Sequence, residues 1–124
     1  MNDRGISGGT IVTLDGDFDL AQRDRVIDAF EAAAGEPLVV IDLLRARYID
    51  STVLSCLLRL RDEVGERGGT LILTGPQASV KRLLDVAGLA PLFDIRPSVA
   101  DVCREYDFND GELRRIDLVV EADE

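Results

Sequence analysis

The stretch that most restricts this chain is residues 39–69, VVIDLLRARYIDSTVLSCLLRLRDEVGERGG. Residues 38–44 (LVVIDLL) form a nearly unbroken apolar run, the pattern of a central strand covered on both faces. Further on, Val53, Leu57, Leu60 and Val64 recur at helical spacing, widened by Leu54 and Leu58, while Arg59, Arg61, Asp62, Glu63 and Arg67 form the wet side. The spacing predicts a helix over residues 51–66, stopped by Gly65 and the Gly68-Gly69 pair. A strand buried on both faces followed by a one-sided helix requires parallel neighbours and a helical layer.

The rest of the chain repeats that unit. Residues 1–9 are Gly-rich and polar, a loose start with a weak strand pattern near Ile6. Residues 10–14 (TIVTL) read as a strand and Asp15-Gly16-Asp17 as a turn. Asp19 precedes a helical pattern of Leu20, Val26, Ile27, Phe30 and Ala34, ended by Gly35, Glu36 and Pro37. Residues 45–49 read as a connection, residues 70–74 (TLILT) as an interior strand and Gly75-Pro76 as a turn. Residues 77–87 read as a helix with Val80, Leu83, Leu84 and Ala87 inside and Gly88 as its C-cap. A short strand over residues 92–95 and a last helix, capped by Ser98 and carrying Val99, Val102, Cys103 and Tyr106, complete the series. After a turn at residues 108–111, residues 113–120 contain Ile116, Leu118, Val119 and Val120. They fit an added edge strand, a partner-binding segment or a β-prone tail, and the sequence does not choose between these. The alternation predicts an α/β fold: one domain with a mixed, mostly parallel sheet and about four helices, packed mainly on one side. In domain terms, residues 1–10 are a flexible start or short first strand, 11–107 the domain, and 108–124 a C-terminal extension, an edge strand or partly disordered.

Composition narrows the function. At 124 residues the chain holds one sizeable core. Asp and Glu number 24 against 14 Lys and Arg, a formal net charge of -10. That balance argues against nucleic acid, whose backbone needs a basic surface, and against anionic membranes. No apolar run reaches the length of a membrane span, so the expected compartment is the cytoplasm. There is no His, hence no imidazole base or metal ligand. Cys56 and Cys103 lie far apart without metal-ligand spacing, and read as buried thiols acting as small hydrophobes.

The helix start carries the chemistry. Asp50, Ser51 and Thr52 put a carboxylate and two hydroxyls where a helix leaves backbone N–H groups without partners. Such a point favours anions and suits a phosphoacceptor; plain N-capping accounts for the same residue types, and the roles coexist. Asp17 reads as a turn residue. Asp19 reads as a helix cap that also lines the partner surface. Asp42, inside an apolar strand, needs hydrogen bonds and is read as structural. Arg45 and Arg47 either meet a partner carboxylate or lie in solvent, and Lys81 and Arg82 are the wet face of the third helix.

Four segments together resemble the STAS-type anti-sigma factor antagonists. Gly16-Asp17-Phe18-Asp19-Leu20 is similar to the family's segment before its first helix, and Val39-Val40-Ile41-Asp42-Leu43 to its central strand. Tyr48-Ile49-Asp50-Ser51-Thr52 is similar to its phosphorylation loop. Gly68-Gly69-Thr70-Leu71, with Val80-Lys81-Arg82-Leu83-Leu84 and Ala87-Gly88-Leu89, is similar to its third strand–helix unit. The resemblance spans about residues 11–103. It implies a non-enzymatic switch without cofactor, metal or catalytic residue. Ser51 accepts phosphate from an anti-sigma factor with serine kinase activity, with Thr52 the second candidate, and a serine phosphatase resets the phosphorylated form. Asp19, Arg47, Tyr48, Asp50, Ser51, Thr52, Val53 and Ser55 are the implied partner-binding residues, and the chain is a monomer or weak homodimer. Three features depart from the pattern. Val53 stands where a small residue is usual, the segment before Ile11 is short, and the tail runs past Cys103.

Two other classes were weighed. A binding module or scaffold without phosphorylation shares the fold and differs only at Ser51. A receiver-like domain phosphorylated on Asp42 fits the βα order and places Thr74 at the next strand end. It lacks a good acidic pair near Asp15 and Asp17, and its lysine, since Lys81 lies in a helix. No phosphate loop of the G-x-x-x-x-G-K-[ST] kind and no G-x-S-x-G elbow occurs.

Overall fold

A computed structural model describes residues 8–121; the strand signal near Ile6 lies outside them. In chain order the elements are β1 (Gly9–Phe18), α1 (Arg23–Ala33), β2 (Leu38–Asp42), β3 (Ala46–Ile49), α2 (Ser51–Glu66), β4 (Thr70–Thr74), α3 (Ala78–Val86), β5 (Asp94–Arg96), α4 (Val99–Tyr106) and β6 (Arg114–Val119). Short 3-10 turns at Leu20–Gln22, Ala90–Leu92 and Asp110–Glu112 join them. Hydrogen-bonded neighbours run β3-β1-β2-β4-β5, with β6 also on β1, and every pairing among the described residues is parallel. β1 therefore serves three strands: β2 along residues 9–13, β3 along 16–18 and β6 along 10–15.

The apolar run of β2 has the expected cause. Successive strand side chains alternate between faces, and both faces are covered. Val39 and Ile41 join Val12, Leu14 and Leu73 under α1, α2 and α3, which contribute Val26 and Phe30, Val53, Leu57, Leu60 and Val64, and Val80 and Leu84. Leu38 and Val40 join Ile11 and Ile72 on the other face, against Val102, Cys103 and Tyr106 of α4 and Leu113. Three helices thus share one face and α4 takes the other, where Arg96 at the end of β5 holds Glu105 of α4 at 2.8 Å.

Several local readings need correction. Asp15-Gly16-Asp17 is not a turn, because β1 runs through it. Gly16 instead adopts φ +118, and the register with β3 slips between Gly16 and Asp17. The turn-like composition serves a bulge. A Cβ on Gly16 would also sit 2.2 Å from the Val120 carbonyl oxygen. Residues 46–49 are a strand rather than a connection. Gly16 N–H donates to Arg45 O at 3.0 Å and Asp50 N–H to Phe18 O at 3.2 Å, so this charged stretch is recruited by the free backbone of β1. Leu20 precedes α1 and is 68% exposed, and Ala87 is exposed as well. β5 begins two residues later than read, after the Ala90–Leu92 turn built around Pro91. Of the readings left open for residues 113–120, the structure realises the strand.

Thr10 is wholly buried, and its hydroxyl has no hydrogen-bond partner among the described residues. Thr10→Val is expected to stabilise the fold by about 1 kcal/mol or more, since a buried polar group without a partner is costly; a higher urea midpoint at unchanged slope is the readout. Leu57, also wholly buried, is expected to cost about 2–5 kcal/mol on truncation to Ala, measured in the same titration.

Candidate partner-binding site

The described strands being parallel, their carboxyl ends meet at one edge of the sheet, where open α/β sheets place ligands. β3 ends there and passes through Asp50 into α2. Asp50 clasps the junction. Its N–H reaches Phe18 O on β1, and its C=O accepts from Leu54 N–H at 3.1 Å. Its carboxylate Oδ1 accepts from Thr52 N–H at 2.9 Å and Val53 N–H at 3.3 Å. Two of the N–H groups that made this helix start anion-friendly are therefore already taken by Asp50 itself.

Ser51 is the first residue of α2 and is exposed. Its carbonyl accepts from Ser55 Oγ at 3.0 Å, while its own Oγ has no hydrogen bond among the described residues. Thr52 is half-buried. Val53 is 0% exposed; it fills the core and has no surface to offer a partner, a correction to its place among the implied contact residues.

Two hollows flank this first turn. One, of about 400 Å³, is lined by Tyr48, Asp50, Ser51, Ser79, Val80 and Leu83. The other, of about 220 Å³, is lined by Leu20, Arg23, Thr52, Ser55 and Cys56 among others. Exposed apolar surface borders both, from Tyr48 (53% exposed) and Leu20. Arg47 pairs with Asp17 across β3 and β1 at 3.5 Å, and its carbonyl accepts from Ser79 Oγ at 3.2 Å. Asp19 caps the Leu20–Gln22 turn: its carboxylate accepts from Ala21 N–H at 2.8 Å, and its N–H donates to Gln22 Oε1 at 2.8 Å. A further depression, about 580 Å³ near Arg61, Thr70 and Leu92, lies at the opposite end of the strands.

Asp42 is tied into the sheet end. Its Oδ1 accepts from Thr74 Oγ1 at 3.1 Å and from Leu44 N–H at 3.2 Å, the hydrogen bonds its position required. The sequence reading missed Leu20 and Ser79 as surface elements of the site. The Asp19…Gln22 capping box does signal that Leu20 starts a turn rather than facing the core; Ser79 arrives only through the packing of α3 on β3. Cys56 is half-buried rather than buried. Loss of solvation pushes its thiol pKa up, opposed by Arg23 and Arg59 and aided by Asp50.

The sequence profile of the STAS domain matches residues 1–102, well over half of the chain. The chain belongs to the STAS-domain family. A STAS-domain containing protein of Pseudomonas aeruginosa (strain UCBPP-PA14) is 33% identical over 85 residues, 68% of this chain and 84% of that one. The Bacillus cell fate determinant SpoIIAA in its phosphorylated form superposes with TM-score 0.62 at 17% identity, covering 85% of this chain and 97% of that one. The anti-sigma factor antagonist SpoIIAA in its unphosphorylated form gives the same TM-score at 20% identity, covering 85% and 94%. A sulfate transporter family protein from Wolinella succinogenes gives 0.68 at 16% identity, covering 81% and 86%. At such identities the structural likeness speaks for the fold alone. STAS domains are non-catalytic regulatory modules. With that assignment the receiver reading of Asp42 falls away. Among the described residues no helix is long and apolar enough to cross a membrane.

Two measurements test the junction. Asp50→Ala is expected to cost about 0.5–2 kcal/mol, as for other lost helix caps, with the urea midpoint as readout. Alkylation of Cys56 at neutral pH is expected to run slower than that of a free cysteine, because the raised pKa leaves less thiolate; thiol labelling followed by peptide mapping gives the rate.

Proposed function

We propose that this STAS domain is an anti-sigma factor antagonist that binds an anti-sigma factor with serine kinase activity and is released when Ser51 is phosphorylated. A serine phosphatase resets the phosphorylated form, and sigma-factor-dependent transcription in the cytoplasm follows the cycle. The observation that carries the reading is the position of Ser51. It is exposed, its hydroxyl is unengaged among the described residues, and it stands between two hollows bordered by Leu20 and Tyr48. A kinase supplying nucleotide, metal and base needs no more from its substrate than an accessible, fixed hydroxyl. Asp19, Arg47, Tyr48, Asp50, Thr52 and Ser55 form the surrounding contact surface, and Thr52 is the second candidate for the acceptor.

The physics supports a switch at the interface rather than in the fold. Phosphate adds about -1.5 to -2 charge and three acceptor oxygens. The nearest helix-start donors, Thr52 N–H and Val53 N–H, already serve Asp50, so the new group finds little to gain from α2 and meets a like charge. The cost then falls on any partner surface closed over Ser51. Val53, the departure from the family pattern, points into the core and leaves the approach to the Ser51 hydroxyl clear.

Mass spectrometric mapping of the protein from its native cells, growing and stressed, is expected to find phosphate on Ser51 that varies with condition. Bare Ser51 and Thr52 throughout would instead leave a constitutive STAS binding module. In calorimetry against the kinase partner, Ser51→Asp is expected to weaken binding by about tenfold or more, roughly 1.4 kcal/mol, with the thermal midpoint unchanged, while Ser51→Ala binds like wild type.

A further inference from the structure

The hollow of about 220 Å³ that Thr52 and Ser55 line runs between α1 and α2, over Ile27 and Cys56, and reaches Arg59. A narrower one of about 20 Å³ continues it, for Ile27, Cys56 and Arg59 line both, and Phe30, Glu31 and Glu63 join them there. The floor is apolar and open. Ile27 and Cys56 are half-buried, beside an α2 stripe that is wholly in the core, and Leu20 at the mouth is exposed. Cations stand over that floor. Burial pushes the Cys56 thiol pKa up while Arg23 and Arg59 draw it back, which sets both guanidinium groups near the sulfur. Neither is spent in holding the fold. Arg59 has no hydrogen bond or ion pair among the described residues. Arg23 meets Asp24 at 3.5 Å in a pair exposed on both sides, and such surface pairs hold weakly. Asp50 also acts on the thiol, but its carboxylate already serves Thr52 N–H and Val53 N–H.

We infer that the kinase partner seats an apolar side chain in this hollow and sets a carboxylate beside it, against Arg23 and Arg59. The inference rests on the reading of Ser51 as a partner surface and supplies the chemistry of the other side. Volume, sign and direction choose the occupant. Small-molecule sites run to about 300–1,000 Å³, so a hollow of about 220 Å³ suits one side chain of a protein rather than a free ligand. The chain carries a net charge of -10, so most of its surface repels an acid; two arginines converging on an apolar floor invert that locally, and matched potentials of this kind set partner and register. Glu31 and Glu63 line the narrow continuation, so an acid is welcome at the Ser51 end of the groove and repelled further along. The arrangement also bears on release. Ser55, on the rim of the hollow, donates to the Ser51 carbonyl one turn back, so a phosphate on Ser51 adds negative charge within about a helical turn of the place where the partner brings its own.

Calorimetry of the full chain against the anti-sigma kinase partner tests this. Arg59→Glu is expected to weaken binding about tenfold or more with the thermal midpoint unchanged, and Arg59→Lys, which keeps the charge, to lose less. Arg67→Glu makes the same change of charge on α2 outside the hollow and is expected to bind like wild type. In the unmodified chain, alkylation of Cys56 is expected to slow about tenfold once the partner is bound, as its floor position is covered. A wild-type complex in which Arg59→Glu binds no more weakly than Arg67→Glu, or in which Cys56 reacts at its unbound rate, would overturn this inference and leave the reading of Ser51 standing. A wild-type chain that forms no complex would overturn both.

Discussion

The backbone of β1 is the constraint on which the rest depends. A buried strand must satisfy its N–H and C=O groups on both edges, and β1 does so with three partners. β2 and β3 pair with successive lengths of it and β6 with most of its span. The bulge at Gly16 is where the register changes from one partner to the next. Without that break, β3 could not be set down at the distal end of β1, and the chain entering α2 would not be held. Phe18 O fixes Asp50, and Asp50 fixes the first turn of α2. The position of Ser51 is thus a consequence of how a strand in the core shares its hydrogen bonds.

Asp50 illustrates how one side chain can settle both stability and chemistry. As a cap it satisfies two backbone donors that would otherwise want partners. By doing so it removes the features that would have let a phosphate on Ser51 bind back onto the helix. A modification there is left facing outward, where its charge acts on whatever approaches. Arg47, held to Asp17, and Ser79, held to the Arg47 carbonyl, keep the adjoining wall in place.

Much of the fold was legible because period and burial agree. The α2 stripe and the apolar β2 run each have one structural solution, and both were read to within a residue or two. Legibility failed where tertiary hydrogen bonding overrode composition. Asp15-Gly16-Asp17 has the makeup of a turn, but the free edge of β1 keeps it extended. Arg47 and Tyr48 disguise β3, since a strand whose exposed positions are long and polar lacks an apolar signature. At the site, Ser51 and Asp50 were legible from their place before the helical stripe. Leu20 was misplaced because its apolar side chain fits the α1 period, although the capping box one residue earlier turns it outward. Ser79 carried no local signal at all.

The pairing of β6 with β1 has a consequence for synthesis. Thr10 lies beside Arg114, so β1 receives this partner only after every element from α1 to α4 has been made. Contacts of such long sequence separation close slowly. While the ribosome works through α1 to α4, one margin of β1 stays without its strand, a state prone to pairing with the wrong chain. The nascent protein can assemble its central layers early, yet it stays sticky along one side until β6 clears the exit tunnel.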